Sequence, residues 1–202
     1  MLLTIDIGNT NIVIGAFEKD CLKFVSRIQT NKYRMADEYA IIIKGILEFN
    51  GYTTDMFDGA IASCVVPPLI PTMKKTIDRL FNTKLMIISP GIKTGLNIKI
   101  DNPATLGSDL ACGAVGAIKK YSLPCIVIDL GTATKFYVIS DDNSFLGGAI
   151  MPGVSISLDA LSKNTAQLPH IELQNTKNVV GTNSIDCMCS GVVYGTASMI
   201  DG

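Results

Sequence analysis

Two stretches of this chain repeat one another, and a chain that writes the same strand-turn-strand unit twice is driven toward a duplicated architecture. LLTIDIGNTNIVI near the start is echoed by PCIVIDLGTATKFYVI in the second half, with Asp6 recurring as Asp129 and Gly8 as Gly131. In each copy an apolar strand runs into Asp-x-Gly, passes through small hydroxyl or amide residues, and resumes as an apolar or alternating strand. That is the pattern of a β-hairpin with a polar tip. The segments that follow, FEKDCLKFVSRI and SDDNSFLGGAI, each read as a turn and a further strand, so both copies extend to a three-strand meander.

The remaining segments supply helices and buried strands. ADEYAIIIKGILEFNG has acids early, an apolar face at Tyr39, Ile43, Ile46 and Leu47, and Gly51 as a stop, which predicts a helix. FDGAIASCVVP predicts a buried strand, PPLIPTMKKTIDRLFN a helix opened by prolines, and KLMIISP another strand. GSDLACGAVGAIKKY predicts a helix with a small-residue face at Ala111, Ala114 and Ala117. PGVSISLDALSK and SIDCMCSGVVYGTASMIDG predict two more, the last with Gly191 and Gly195 spaced for close helix packing, as at a dimer interface. The expected fold is α/β, two duplicated domains over residues 1–120 and 121–202. Each is a mixed sheet flanked by helices, with a ligand cleft between them. The sequence stops at MIDG inside a helical pattern, which leaves two readings open: a second domain that is incomplete, its C-terminal part missing, or a last helix that ends there.

Composition removes several classes of function. A formal charge of −1 offers no broad cationic surface to nucleic acid. Asp6 interrupts the first apolar stretch before a signal peptide could form, and YAIIIKGILEF, broken by Lys44 and Gly45, is far short of a membrane span. Neither a nucleic-acid nor a membrane partner is expected. Six cysteines (Cys21, Cys64, Cys112, Cys125, Cys187, Cys189) and a single histidine, His170, make a His/Cys metal site a poor reading; reduced, buried thiols in a cytoplasmic protein are expected.

The polar tips carry the chemistry. Glycines let backbone N–H groups approach phosphate oxygens, hydroxyls and amides add neutral donors, and a carboxylate can hold a hydrated metal ion. Two such tips suit a nucleoside triphosphate with its cation. GxxxxGK[ST] and a strand-GxGxxG-helix unit are both absent from the sequence.

The ordered motifs Asp6-Ile-Gly-Asn-Thr-Asn11, Asn102-Pro-x-x-Leu-Gly-Ser-Asp109, Asp129-Leu-Gly-Thr-Ala-Thr134, Gly147-Gly-Ala-Ile-Met-Pro-Gly153 and Thr165-Ala-Gln-Leu-Pro169 resemble those of type III pantothenate kinases. Gly181-Thr-Asn-Ser184 with Ser190-Gly-Val-Val-Tyr-Gly195 completes a collinear match over essentially the whole chain. The resemblance implies the acetate and sugar kinase, heat-shock chaperone and actin superfamily, with duplicated ribonuclease H-like domains. It also implies ATP-dependent phosphorylation of pantothenate, the first step of coenzyme A biosynthesis, by a cytoplasmic homodimer.

By the same resemblance, Asp6, Ile7, Gly8, Asn9, Thr10, Asn11, Ile12 and Val13 bind ATP phosphates, with Asp6 near Mg2+ and Thr132 contacting phosphate. Asp129 holds a monovalent cation, K+ or NH4+. Asp109 is the general base, and Ile100, Gly107, Ser108, Asp109 and Leu110 line the pantothenate site, with Ser184 reaching substrate across a dimer. The chain departs from the family pattern in four places: Leu110 where the family has Arg, Ile100 for Tyr, Ser184 for Thr, and Lys135 for Thr. Lys135 either restores a positive charge beside the second hairpin or, as the default reading, is an exposed strand-edge lysine. Two other functions remain open from the residues alone, a nucleotide-binding accessory relative with impaired turnover and a kinase for another small substrate.

Overall fold

Alternation builds the first sheet. In β1 (Leu2–Ile7) the side chains of Leu3, Ile5 and Ile7 are buried, and in β2 (Asn11–Glu18) those of Ile12, Ile14 and Ala16, so one face of the hairpin is wholly apolar. β3 (Cys21–Gln29) pairs antiparallel with β2. On the other side of β1, β4 (Gly59–Cys64) pairs parallel, and β5 (Leu85–Ile87) continues parallel to β4, giving the order β3-β2-β1-β4-β5.

The apolar face is covered by α1 (Ala36–Phe49) and α2 (Ile70–Leu80). Tyr39, Ile43 and Leu47 from the first, and Met73 and Ile77 from the second, join the strand residues in one core. Burying each such side chain contributes about 1.5–3 kcal/mol. Glu38 accepts a 2.7 Å hydrogen bond from the Met35 N–H at the start of α1, and the chain leaves that helix through Gly51 at φ +81°. A two-residue strand, β6 (Asn97–Ile98), and a turn at Pro103–Thr105 lead into α3 (Ser108–Lys120). That helix meets the opposite face of β4, on the side of Ser63 and away from the core residues Ala60 and Ala62.

The computed structural model describes residues 1–176 and 178–202, and the chain divides into two units, Met1–Tyr121 and Ser122–Gly202. The second unit repeats the meander: β7 (Cys125–Leu130), β8 (Ala133–Ile139) and β9 (Ser144–Pro152) are consecutive antiparallel strands with β8 in the middle. Tyr137 stacks on Phe145 at 5.5 Å between ring centroids, over a small core with Ile139 and Leu158. α4 (Val154–Asn164) and α5 (Ser184–Asp201) complete the unit.

The expected α/β class with helix-flanked sheets is thus found, and among the described residues the five α-helices fall where periodicity places them. One detail differs. Of the six cysteines Cys189 alone is buried; Cys64, Cys112 and Cys125 are half-buried, and Cys21 and Cys187 are exposed, because each of these two occupies the first turn or end of an element whose apolar face points elsewhere. Gly191 and Gly195 seat no helix of this chain but face open space, which leaves the dimer-interface reading of their spacing as it stood. Among the described residues no helix is long and apolar enough to cross a membrane.

Candidate active site

The first hairpin tip is held from three directions. The Gly8 N–H donates to the Asn11 carbonyl at 3.0 Å, the Thr30 hydroxyl donates to the Gly8 carbonyl at 2.7 Å, and the Thr30 N–H donates to the Thr10 carbonyl at 2.9 Å. A Cβ on Gly8 would stand 3.0 Å from the Asn11 oxygen, so a larger residue there would push the turn apart by a few tenths of an ångström. Ile7 and Ile12 anchor the two strands in the core, while Asn9, Thr10 and Asn11 are exposed, with Val13 half-buried. The polar cluster inside an apolar strand is therefore a braced turn that presents amides and hydroxyls outward.

Asp6, Ser63, Ser108 and Asp109 form a connected group in the same unit. Asp6 stands opposite Ser63 in the parallel register of β1 and β4, so both side chains leave the same face near the carboxyl ends of the strands. The Ser63 and Ser108 hydroxyls are 3.0 Å apart. Ser108 also accepts from the Cys64 N–H at 3.0 Å and reaches the Cys64 carbonyl at 3.3 Å. These bonds tie the first turn of α3 to the end of β4, and the next residue is Asp109. Its carboxylate folds back over Gly107, where a Cβ would lie 2.5 Å from Oδ1.

The Cys112 thiol feels the charge of both acids. Its pKa is raised from 9.0 first by burial and then by the negative charge of Asp6, with Asp109 adding to it; a hydrogen bond with Ser63 acts the other way. The Cys64 thiol is raised too, by burial and by Asp6. Two carboxylates from distant parts of the sequence thus act on one thiol. Ser63, Cys112 and Thr30 were not singled out in the sequence. The available signal was Ser63 itself, a polar residue at the end of the otherwise apolar strand GAIASC.

Beside this group lies a cavity of about 320 Å³ with Ile88, Ile92 and Leu106 among its walls and the hydroxyls of Ser89, Thr94 and Ser108 as polar points. Its size and mixed lining suit a small organic ligand. The turn carrying Asn102 fixes its edge, since the Asn102 Oδ1 accepts from the Ala104 N–H at 3.2 Å and the Thr105 hydroxyl donates to the Asn102 carbonyl at 2.7 Å. Ile100 and Leu110 are half-buried on either side of that turn in sequence.

In the second unit, Gly131 donates to the Ala133 carbonyl at 3.2 Å and Thr132 is exposed at the tip. The Gly153 N–H donates to the Thr132 carbonyl at 3.2 Å, which brings the start of α4 against the tip. A Cβ on Gly153 would collide with the Gly131 and Thr132 carbonyls. Ser184 is exposed as the first residue of α5, just after the Asn183 cap. His170 is exposed, 3.5 Å from an Asp159 oxygen.

Lys135 is not the exposed edge residue the sequence suggests. It lies on the central strand β8, directly across from Asp129. Its side chain is only 17% exposed, and its Nζ is 2.8 Å from Asp129 Oδ2. The side chains around Asp6 fit a magnesium ion, which is usually held by one or two carboxylates together with phosphate oxygens. At Asp129 the Lys135 ammonium stands against one carboxylate oxygen, Oδ2, so a cation is already present beside that acid.

The class, a small-molecule phosphotransferase, is fixed by the comparisons with known proteins. The profile of the type III pantothenate kinase family matches residues 2–202. A type III pantothenate kinase from Halalkalibacterium halodurans is 43% identical over 202 residues, covering 100% of this chain and 80% of that protein. A Campylobacter jejuni protein described as of the Baf family is similar in fold, with a TM-score of 0.59 at 21% identity over 98% of this chain and 77% of that one. The chain belongs to the type III pantothenate kinase family.

Proposed function

We propose that the group built from Asp6, the first hairpin tip and Asp109 is where this kinase transfers phosphate. As a member of its family the chain is a kinase that uses ATP to phosphorylate pantothenate, the entry to coenzyme A synthesis. The observation that supports the assignment of residues is the parallel pairing that sets Asp6 opposite Ser63, whose hydroxyl is 3.0 Å from that of Ser108, a wall residue of the cavity and the neighbour of Asp109 in sequence.

In this reading Ile7 to Val13 form the phosphate turn, its amides and hydroxyls meeting the triphosphate oxygens, and Thr132 supplies a contact from the second hairpin. Asp6 would hold Mg2+, which when bound neutralises phosphate charge. Pantothenate lies in the cavity that Ser108 lines, with Gly107, Leu110 and Ile100 in the segments that adjoin its walls but not among the wall residues themselves. Asp109 takes the proton of its primary hydroxyl as that oxygen forms its bond to the γ-phosphorus and the bond to the ADP oxygen breaks. Positioning and charge neutralisation carry most of such a transfer, so Ser108 matters because it fixes where α3, and with it Asp109, begins. A homodimer in which Ser184 reaches the partner's substrate, and a cytoplasmic location, belong to the same reading; light scattering at twice the chain mass is the expected result for the first.

Product analysis tests it. Incubation with ATP, Mg2+ and pantothenate should yield 4'-phosphopantothenate by mass spectrometry, and Leu110→Arg with Ile100→Tyr should lower the KM for pantothenate by about tenfold, the scale of one charge-assisted contact. Phosphorylation of a different alcohol from a substrate panel, with none of pantothenate, would reject the substrate assignment.

A further inference from the structure

We infer that Lys135 is a built-in counterion that takes the place of a mobile monovalent cation at Asp129, so that this chain needs neither potassium nor ammonium. The geometry that carries this is the register of the second hairpin. Between the closing pair Ile7 and Ile12 of the first hairpin lie four residues, and between Leu130 and Thr134 of the second lie three. The shorter tip shifts the pairing by one position. Asp6 stands opposite Val13, whereas Asp129 stands opposite Lys135.

Directly opposed residues of an antiparallel pair share a face with Cβ atoms roughly 4.5–5.5 Å apart, within reach of a lysine folding onto its neighbour. The ammonium is 2.8 Å from the carboxylate, and its stem is mostly buried on a strand with neighbours on both sides. An ion drawn from solution would have to share that carboxylate with a tethered charge of the same sign a few ångströms away, where like charges repel strongly. The tethered cation is also held beside the carboxylate by the chain itself, without an ion having to be drawn from solution.

This inference uses the phosphate reading of the hairpin only for its consequence on ATP. The test therefore has two readouts on the full chain, thermal unfolding without nucleotide and calorimetric ATP binding. Both are measured in potassium chloride and in tetramethylammonium chloride at equal ionic strength. The wild-type chain is expected to show the same unfolding midpoint and, within about twofold, the same ATP affinity in both salts. Lys135→Thr, which leaves Asp129 without this partner, is expected to unfold several degrees lower in tetramethylammonium. Potassium should restore most of the difference and tighten ATP by about fivefold or more.

A wild-type midpoint or ATP affinity that depends on potassium overturns the proposal. So does a Lys135→Thr chain that is as stable as wild type, or one that potassium fails to restore. Should Lys135→Thr not fold, the wild-type comparison still decides, with Lys135→Arg expected to remain indifferent to the salt. Absence of ATP binding in either salt would reject the nucleotide reading and leave the midpoints to judge the counterion.

Discussion

Cys112 is the residue that ties the site together, because its thiol lies under the influence of both acids. Burial comes first in raising it and Asp6 outranks Asp109 in adding to it. Asp6→Asn should therefore quicken alkylation of Cys112 by iodoacetamide at pH 8 by about two- to fivefold, and Asp109→Asn should do so by less, read by mass spectrometry of the labelled peptide. Equal rates in all three proteins would mean that the acids do not converge there. The sign for stability follows from the same direction. Because the folded chain raises the thiols of Cys112 and Cys64, it gains by keeping them neutral. That contribution is complete below the ordinary thiol value of 9.0 and is lost as pH rises through the shifted ones. Urea unfolding of Cys112→Ser compared with the wild type should show the two stabilities drawing together above pH 9, as the term that the thiol alone contributes disappears.

At the scale of elements, the site depends on how α3 is joined to β4 and how α4 is joined to the second hairpin. Ser108→Ala removes the hydroxyl that links Ser63 and both backbone groups of Cys64, and is expected to lower stability by about 1–3 kcal/mol in urea, with turnover falling further than stability alone explains. Gly153→Ala drives a methyl into two carbonyls that belong to backbone and cannot swing aside. A loss of about 1–3 kcal/mol is expected, and an unchanged unfolding midpoint would contradict the close approach. The strands and helices themselves were legible in the sequence, since Leu3, Ile5 and Ile7 alternate and Tyr39, Ile43 and Leu47 recur at helical spacing. The hairpin registers were not. The echo of Asp-x-Gly fixes where each tip begins but not how many residues close it, and that one-residue difference decides whether Lys135 faces solvent or Asp129. Ser63 stayed hidden for a related reason: its partner Ser108 lies far along the chain, and only the parallel pairing of β1 with β4 brings it beside Asp6.

For the molecule as a whole, duplication supplied a scaffold and divergence supplied the differences within it. One hairpin keeps a longer, exposed turn with a carboxylate opposite valine; the other has a shorter turn with its carboxylate already neutralised by a lysine. A chain of net charge −1 has little cationic surface with which to draw in a triphosphate, so the account places recognition on fixed amides, hydroxyls and a metal-bridging acid. Its central claim is that Asp109 serves the alcohol while Asp6 and the first turn serve the nucleotide. The most direct measurement is pantothenate-dependent ADP release by Asp109→Asn beside the wild type, with ATP affinity determined on the same samples. The account predicts a fall in turnover of about a hundredfold or more with ATP binding retained within about threefold. Turnover left at the wild-type level in a folded Asp109→Asn chain would contradict it.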